Sequence, residues 1–349
     1  MDKLRVGVLS HAHGHVGMYC QVMREYDDVE VVACWDDNAE RGRAAARQYG
    51  FEFRDTPRSI VEDARIDAVM IGIETNRHAD MVELAAGAGK HILLQKPMAT
   101  TLADCDRIVA AVAAAGVKFS MAFQMRQDPS NIAVKELLAQ GVVGKVSVIR
   151  RRHCIGVLLN EGFVDSPSRW HFDPEANVGM FFDDASHPAD WFYWLLGKPT
   201  SVVAEIDRVV TPLATDDTGI AVYRFGQGEM GFLFNSAVTV AGVNTTEIYG
   251  AEGTIIQDFD DGPSVSAPRH PDAVALRYIR RGDTEWTVVP MDIPETHGAR
   301  IGNVPRPWID YVRGLTDETI SAAEGRVSVE MVLGAYQAAQ SGRRVHFPL

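Results

Sequence analysis

Three histidines alternate in the stretch Ser10-His11-Ala12-His13-Gly14-His15-Val16-Gly17. It follows the short apolar run Leu4–Leu9, which reads as a first β-strand. Two chemistries suit such a run. A His-x-His pair at the end of a first barrel strand has metal-ligand spacing, as in metal-dependent hydrolases. A strand that leads through small residues into a helix is instead the setting of a phosphate-binding turn. Counted from the strand end, the three glycine positions of G-x-G-x-x-G hold Ser10, Ala12 and His15, while Gly14 and Gly17 lie out of phase. A second apolar run, Val29–Trp35, ends in Asp36-Asp37. An acid at that strand end can accept both hydrogen bonds of an adenosine ribose and repels a 2′-phosphate, so NAD is expected in preference to NADP.

The elements that must position these residues follow from periodicity. Up to about residue 125, apolar strands (Leu4–Leu9, Val29–Trp35, Ala68–Ile73, His91–Leu94, Lys118–Phe123) alternate with helical segments (Gly17–Tyr26, Asn38–Tyr49, His78–Ala88, Thr101–Ala115). That pattern predicts an α/β, Rossmann-type, doubly wound parallel sheet. After Arg126 the grammar changes. Strands dominate from Lys145–His153 to Trp286–Pro290, several alternating polar and apolar residues, before helices at Pro307–Leu315 and Ser328–Ser341. The expectation is a dinucleotide-binding domain over 1–125. A substrate-binding and oligomerisation domain of α+β type follows over 126–349, with a large, mostly antiparallel, open-faced sheet. A barrel hydrolase would keep alternating strand and helix to its end, so the change of grammar weighs against the metal reading of the histidines, and no metal is expected.

Composition narrows the function classes. With 46% hydrophobic and 23% charged residues the chain is an ordinary globular one, and its net charge of −13 disfavours nucleic acid as a partner. No apolar stretch is long enough to span a membrane, and no leader pattern precedes the first strand. Cys20, Cys34, Cys105 and Cys154 form no C-x-x-C pair and read as buried thiols of a reducing cytoplasm.

One stretch carries a resemblance. Glu74–Ala99 reads ETNRHADMVELAAGAGKHILLQKPMA, with Thr75, Asn76 and His78, then Gly89-Lys90-His91, then Gln95-Lys96-Pro97. It closely resembles the Gfo/Idh/MocA oxidoreductase family (glucose–fructose oxidoreductase, inositol dehydrogenase and relatives), whose pattern is T-P-N-x-x-H followed by G-K-H-V-L-x-E-K-P. Phe119–Pro129, Asn177–Gly197 and the C-terminal tail also match. In the second of these, Asp183 and His187 are spaced i, i+4, with Asp190 three residues on, so they share a helix face. A proline after Lys96 fixes a turn at the strand's carboxyl end and aims the lysine into the ligand crevice.

The resemblance implies an NAD(P)-dependent enzyme oxidising or reducing a secondary hydroxyl or ketone of a sugar, cyclitol or glycoside. His187 would be the acid/base and Lys96 would bind the reacting oxygen. Asp183 would bond a neighbouring substrate hydroxyl and hold Lys96 or His187. It implies cofactor contacts from Ser10, Ala12, His13, His15, Asp36, Asp37, Thr75, Asn76, His78, Gln95, Lys96 and Gln124. His153, Arg169, Trp170 and His171, in the irregular stretch Arg150–Glu175, would line the polyol pocket. Gln95 departs from the family's glutamate, and its amide is expected to contact the cofactor. Two other uses of the fold stay open: resident NAD assisting a lyase, hydrolase or epimerase reaction, and a non-catalytic NAD-binding regulator. The open sheet face is expected to be covered in a homodimer or homotetramer.

Overall fold

Strands as apolar as Ala68–Ile71 need cover on both faces, and the chain supplies it by alternating them with helices. The computed structural model describes residues 2–240, 244–259, 270–317 and 319–349. The elements begin with β1 (Leu4–Leu9), α1 (His15–Met23), β2 (Val29–Trp35), α2 (Ala39–Tyr49), β3 (Glu52–Arg54) and α3 (Pro57–Val61). They continue with β4 (Ala68–Ile71), α4 (His78–Gly87), β5 (His91–Leu94), α5 (Leu102–Ala115), β6 (Phe119–Met121) and α6 (Pro129–Ala139). Next come β7 (Val146–Cys154), α7 (Glu161–Val164), α8 (Pro174–Asn177), α9 (Met180–Leu196), β8 (Pro199–Asp207), β9 (Thr218–Phe225), β10 (Met230–Ser236), β11 (Thr245–Gly250) and β12 (Gly253–Gln257). The last are β13 (Arg277–Arg280), β14 (Thr287–Val288), α10 (His297–Gly302), α11 (Pro305–Val312), α12 (Ala322–Ser341) and β15 (Val345–His346).

The chain divides into two units. The first contains Met1–Phe123, Glu175–Asn177 and Ile301–Val329; the second contains Gln124–Pro174, Val178–Arg300 and Glu330–Leu349. The first unit is the expected parallel sheet, in the order β3-β2-β1-β4-β5-β6. Strand order reverses between β1 and β4, the switch point at which such sheets bind ligands. Its core joins Val6, Val8, Val16, Tyr19, Met23 and Met70 to Ile301, Val304, Trp308 and Ile309, so a segment distant in sequence helps to cover the sheet.

Local signals explain several ends. Asn38 caps α2 by accepting the N–H groups of Glu40 and Arg41, and Thr101 caps α5 through Asp104. Gly50 and Gly116 end those helices at φ +81° and +63°. The first helix starts at His15, two residues before the expected Gly17. Gly17 lies inside it because the Tyr49 hydroxyl would be 2.6 Å from a Cβ there. The final helix likewise starts at Ala322, ahead of Ser328.

The second unit has a nine-stranded sheet in the order β14-β13-β12-β11-β7-β10-β9-β8-β15. Among the described residues only β7 and β10 pair parallel in this sheet; the other pairs are antiparallel. Helix α9 packs on β7 and β10, with Phe192 against Tyr223 and Phe225. Ile220 on β9 is exposed, as an open-faced sheet requires. The stretch expected to be irregular holds the end of β7 and short helical turns at Val157–Leu159, Glu161–Val164 and Pro167–Phe172. All four cysteines are buried thiols. Among the described residues no helix is long and apolar enough to cross a membrane.

One side chain sits between the carboxyl ends of two central strands and, as a neutral ring, donates its single N–H to one of them. His78 is fully buried at the start of α4. Its Nδ1 lies 3.0 and 3.2 Å from the carbonyls of Pro97 and Met98, and its Nε2 lies 3.0 Å from that of Ile73. Burial pulls its pKa from 6.5 down to about 4, against the carbonyls, and the Lys96 charge lowers it further. The unfolded chain therefore takes up this proton at higher pH than the folded one. The ring's contribution is complete above pH 6.5 and is lost as pH falls toward 4. His78→Ala is expected to lower stability at neutral pH by about 3 kcal/mol. It should also flatten the fall in stability between pH 6.5 and 4, read from denaturant melts; an unchanged acid slope would show that other groups carry it.

Candidate functional site

The turn after β1 adopts the tight geometry of a phosphate loop without its glycines. Ser10 takes the first position at φ +73°, a conformation glycine adopts without strain. Its hydroxyl stabilises the turn locally by accepting the Ala12 N–H at 3.2 Å. Small residues are needed where β4 meets this turn: a Cβ on Gly72 would lie 2.2 Å from Val16 Cγ2 and 3.1 Å from the Ser10 carbonyl.

The backbone donors of the turn are largely engaged already. His11 N–H donates to Asp36 Oδ2 (2.7 Å), His13 N–H to the Gly72 carbonyl (2.9 Å) and His15 N–H to His13 Nδ1 (3.2 Å). Ala12 and His13, expected with Ser10 as backbone or side-chain donors to a pyrophosphate, spend their backbone N–H groups on the Ser10 hydroxyl and the Gly72 carbonyl. Gly14 is the N-cap residue of α1, and the imidazoles of His13 and His15 on either side of it meet edge to face at 4.4 Å. His11 is separate from them. Its ring stacks near Tyr49 and Phe51, and burial lowers its pKa to about 4.

The two acids after β2 have different surroundings. Asp36 is buried, and its carboxylate accepts Arg41 Nε at 3.1 and 2.9 Å, Arg41 Nη2 at 2.7 Å and the Asn38 N–H at 2.9 Å. Asp36, the acid the sequence marks as the ribose acceptor, thus anchors Arg41. Asp37 is the exposed acid at the strand end, and it pairs with Arg41 and Arg77. The Arg77 guanidinium beside Asp37 holds its carboxyl below the usual range, although burial acts the other way. Glu74 lies 4.0 Å from Arg41 and 3.6 Å from Arg77. Three carboxylates and two guanidiniums leave one net negative charge.

The motif residues of Glu74–Pro97 separate into fasteners and candidate contacts. His78, expected against the cofactor, is buried with both ring nitrogens facing backbone carbonyls. Lys90 donates to the carbonyls of Asp63 and Ile66, at 3.0 and 2.5 Å. Gln95 is also internal: its amide donates to the Tyr19 hydroxyl at 2.9 Å and accepts the Lys96 N–H at 3.2 Å. The expected contact of that amide with the cofactor is therefore replaced by a brace beneath Lys96. Lys96 is buried ahead of the cis bond to Pro97. Thr75 is buried, with no hydrogen bond to its hydroxyl among the described residues, whereas Asn76 is exposed and donates to the Glu175 carbonyl at 3.0 Å.

In the second unit the polar residues gather around α9. Asp183 and His187 lie one turn apart, both buried. Asp183 Oδ1 lies 3.0 Å from His171 Nδ1, and the His171 ring stacks on Trp170 with centroids 3.8 Å apart. Asp184 Oδ2 accepts Asn235 Nδ2 at 2.6 Å, and its Oδ1 lies 3.5 Å from His153 Nε2. Arg151 Nη2 lies 3.1 Å from His153 Nδ1. A guanidinium only donates, so Nδ1 accepts and the His153 proton sits on Nε2, facing Asp184. The rings of His153 and His187 are 6.0 Å apart. Asp190, expected on the same face as His187, is bound instead by Arg126 through two bonds of 2.9 and 2.6 Å. Arg169 is exposed over the Phe172 ring, whereas Trp170 is buried. Gln124 is buried where the second unit begins, and its Oε1 has no hydrogen bond among the described residues.

Sequence reading missed Arg41 and the Asp183–His171 and Arg151–His153–Asp184 pairings. The signal for Arg41 is its place five residues after Asp36, one helical turn into α2; nothing local marks the others. The fold is not the barrel that would make His11 and His13 metal ligands. Among the described residues no group of three or more His, Cys, Asp or Glu is arranged for a metal ion. The first unit does suit a dinucleotide, with its switch point, its tight turn into the start of α1 and the acid pair after β2.

Comparison with known proteins agrees. Residues 11–123 match the model of an oxidoreductase family with an NAD-binding Rossmann fold, and residues 132–256 match the GFO/IDH/MocA C-terminal domain. Myo-inositol 2-dehydrogenase of Thermotoga maritima is 27% identical over 264 residues, covering 73% of this chain and 75% of its own. D-apiose dehydrogenase of Paraburkholderia graminis is 26% identical over 348 residues, covering 97% of this chain and 87% of its own. The solved structure of a levoglucosan dehydrogenase, in complex with NADH and levoglucosan, superposes with a TM-score of 0.84 at 20% identity, covering all of both chains. A parallel sheet of Rossmann order, a second unit built on a broad mixed sheet, and two family matches along one chain lead to one assignment: this protein belongs to the Gfo/Idh/MocA family of oxidoreductases.

Proposed function

We propose that the protein is an NAD-dependent dehydrogenase acting on a secondary hydroxyl, or the corresponding ketone, of a sugar, cyclitol or glycoside. The observation that carries this reading is the burial of Asp183 and His187 one turn apart on a helix that also buries Met180, Phe181, Phe182, Trp191 and Phe192. Polar groups in such surroundings are costly, and a site of reaction is where they are retained. His187 is the acid/base and Lys96 binds the reacting oxygen, where its charge stabilises the developing alkoxide. Nicotinamide, when bound, supplies the hydride acceptor. Ser10, His13, His15 and Gly14 surround the phosphates, and Asp37 takes the ribose. The named activities of the inositol, apiose and levoglucosan dehydrogenases support the substrate class.

NAD is preferred because the Asp36, Asp37, Glu74, Arg41 and Arg77 group keeps one net negative charge where a 2′-phosphate would lie. We also infer a cytoplasmic protein, since four buried thiols suit a reducing compartment. A homodimer or homotetramer through the open sheet face is supported by a shallow apolar groove of about 210 Å³ along Val203, Ile220 and Val222. A monomer at micromolar concentration in light scattering would refute that assembly.

A panel of polyols and glycosides, followed at the NADH absorbance band with NAD and with NADP, identifies the substrate. With it, His187→Ala is expected to slow hydride transfer by at least about 100-fold while NADH still binds; full activity would refute the assignment. Asp37→Ser is expected to shift the kcat/KM ratio toward NADP by about tenfold, roughly 1.4 kcal/mol. Asp36→Asn should instead lower the melting temperature, because it releases Arg41; the opposite pattern would return the ribose to Asp36.

A further inference from the structure

We infer that Asp216, acting with Tyr336, is a positioning residue for the proposed reaction: it caps α9 from a distant loop and thereby sets where Asp183 and His187 stand. The inference rests on the reading that α9 carries the acid/base.

The first turn of a helix leaves backbone N–H groups without partners, and the N-cap side chain usually takes one of them. Here the N-cap is Gly179, which has no side chain to offer. The donors are met from elsewhere. Phe181 N–H donates to Asp216 Oδ1 at 2.6 Å, and Phe182 N–H donates to the Tyr336 hydroxyl at 3.0 Å. That hydroxyl donates in turn to Asp216 Oδ2 at 2.8 Å, so the acid and the phenol act together. Thr215 Oγ1 lies 3.1 Å from Asp216 Oδ2 and 3.2 Å from the Val178 carbonyl. Asp216 is buried, and a Cβ on Gly179 would lie 2.1 Å from its Oδ2. The chain thus gives up a local cap to admit the remote one. Its entry to the helix is strained as well, since Val178, a β-branched residue, sits at φ +65°.

The two kinds of cap differ in what they hold. A side chain at position 179 would fix α9 only to its own chain. Asp216 lies between β8 and β9, and Tyr336 lies on α12, so their bonds fix the helix to the sheet and to the last helix. The loop that carries Asp216 is itself pinned. Asp217 accepts the N–H groups of Val209, Val210 and Thr211 at 3.0, 2.8 and 2.9 Å, and its carbonyl accepts the Ala237 N–H at 2.9 Å. Asp183 follows Phe182 directly, and His187 comes one turn later. Pro188 then removes the bond that residue 188 would donate to the Asp184 carbonyl. The turns that hold Asp183 and His187 therefore depend more on the bonds at their start than those of an unbroken helix would. A displacement of about 1 Å at a reacting group can slow a reaction about 100-fold.

Turnover of NAD with the best substrate of the panel, counted per molecule able to bind NADH, tests this. Asp216→Ala is expected to lower kcat at least about 30-fold while KM and NADH binding stay within about threefold, because placement matters most in the transition state. Asp216→Asn keeps an oxygen for the Phe181 N–H and should lose only about fivefold. Tyr336→Phe should lose about tenfold, and adding it to Asp216→Ala should cost less than about threefold more, as for groups that act together. Gly179→Ser in the Asp216→Ala protein separates position from stability: a local cap should restore the melting temperature but not kcat. A kcat within about threefold of the unaltered protein in Asp216→Ala, or one restored along with the melting temperature by Gly179→Ser, would overturn the inference. Should Asp216→Ala fail to fold, as judged by circular dichroism, Asp216→Asn and Tyr336→Phe carry the test with the losses stated and KM unchanged. Amide hydrogen exchange needs no substrate: the Phe182 N–H should exchange at least about tenfold faster in Tyr336→Phe, and an unchanged rate would count against the cap. His187→Ala separates the two readings: hydride transfer that survives it overturns the function proposed above, while exchange at Phe182 still reports on Tyr336 and Asp216.

Discussion

A helix that buries Asp183, Asp184, Ser186, His187 and Asp190 among phenylalanines and tryptophans must find partners for those groups or lose about 1–3 kcal/mol for each one left without. Much of the second unit is arranged by that constraint. Asp183 draws in His171 and with it the helical turn Pro167–Phe172. Asp184 ties the helix to Asn235 on β10 and lies near His153 on β7, the two strands that pair parallel. Ser186 bonds the Asp183 carbonyl, and Asp190 holds Arg126 in a two-pronged pair. The same bonds that make burial tolerable fix ring tautomers and carboxylate directions, which is the preorganisation a reacting site needs.

The first unit meets a different constraint. A turn at the switch point of a parallel sheet must be tight, and here side chains stand where glycines usually do. Ser10 accepts a left-handed conformation and offsets it by bonding the turn with its own hydroxyl. Asp36, rather than water or a ligand, takes the next N–H and anchors Arg41 at the same time. His78, Lys90 and Gln95 then fasten the neighbouring strand ends and loops, so Lys96 sits on a braced turn.

Much of this was legible in the residue order. The apolar strands, the caps at Asn38 and Thr101 and the glycines at 50 and 116 declare themselves through local propensity. The Lys96-Pro97 step and the i, i+4 spacing of Asp183 and His187 marked candidate chemistry, because spacing along a helix fixes which side chains share a face. The return of Ile301–Val329 to the first unit carries no such mark, since its burial partners lie on β1 and α1, nearly the whole chain away.

The sequence by itself determined the sheet types, the family and the set of residues able to do chemistry. Backbone periodicity and hydrogen-bond satisfaction act over a few residues at a time. Only the tertiary structure decided what each of those residues does. Four acids with the same chemistry, Asp36, Asp183, Asp184 and Asp190, received an arginine, a histidine, an asparagine and another arginine. The histidine-rich stretch after β1 became a self-bonded turn, and His153 was fixed in one tautomer by Arg151. The reason is that a buried polar group is indifferent to sequence distance: it bonds whichever partner the packed elements bring within about 3 Å.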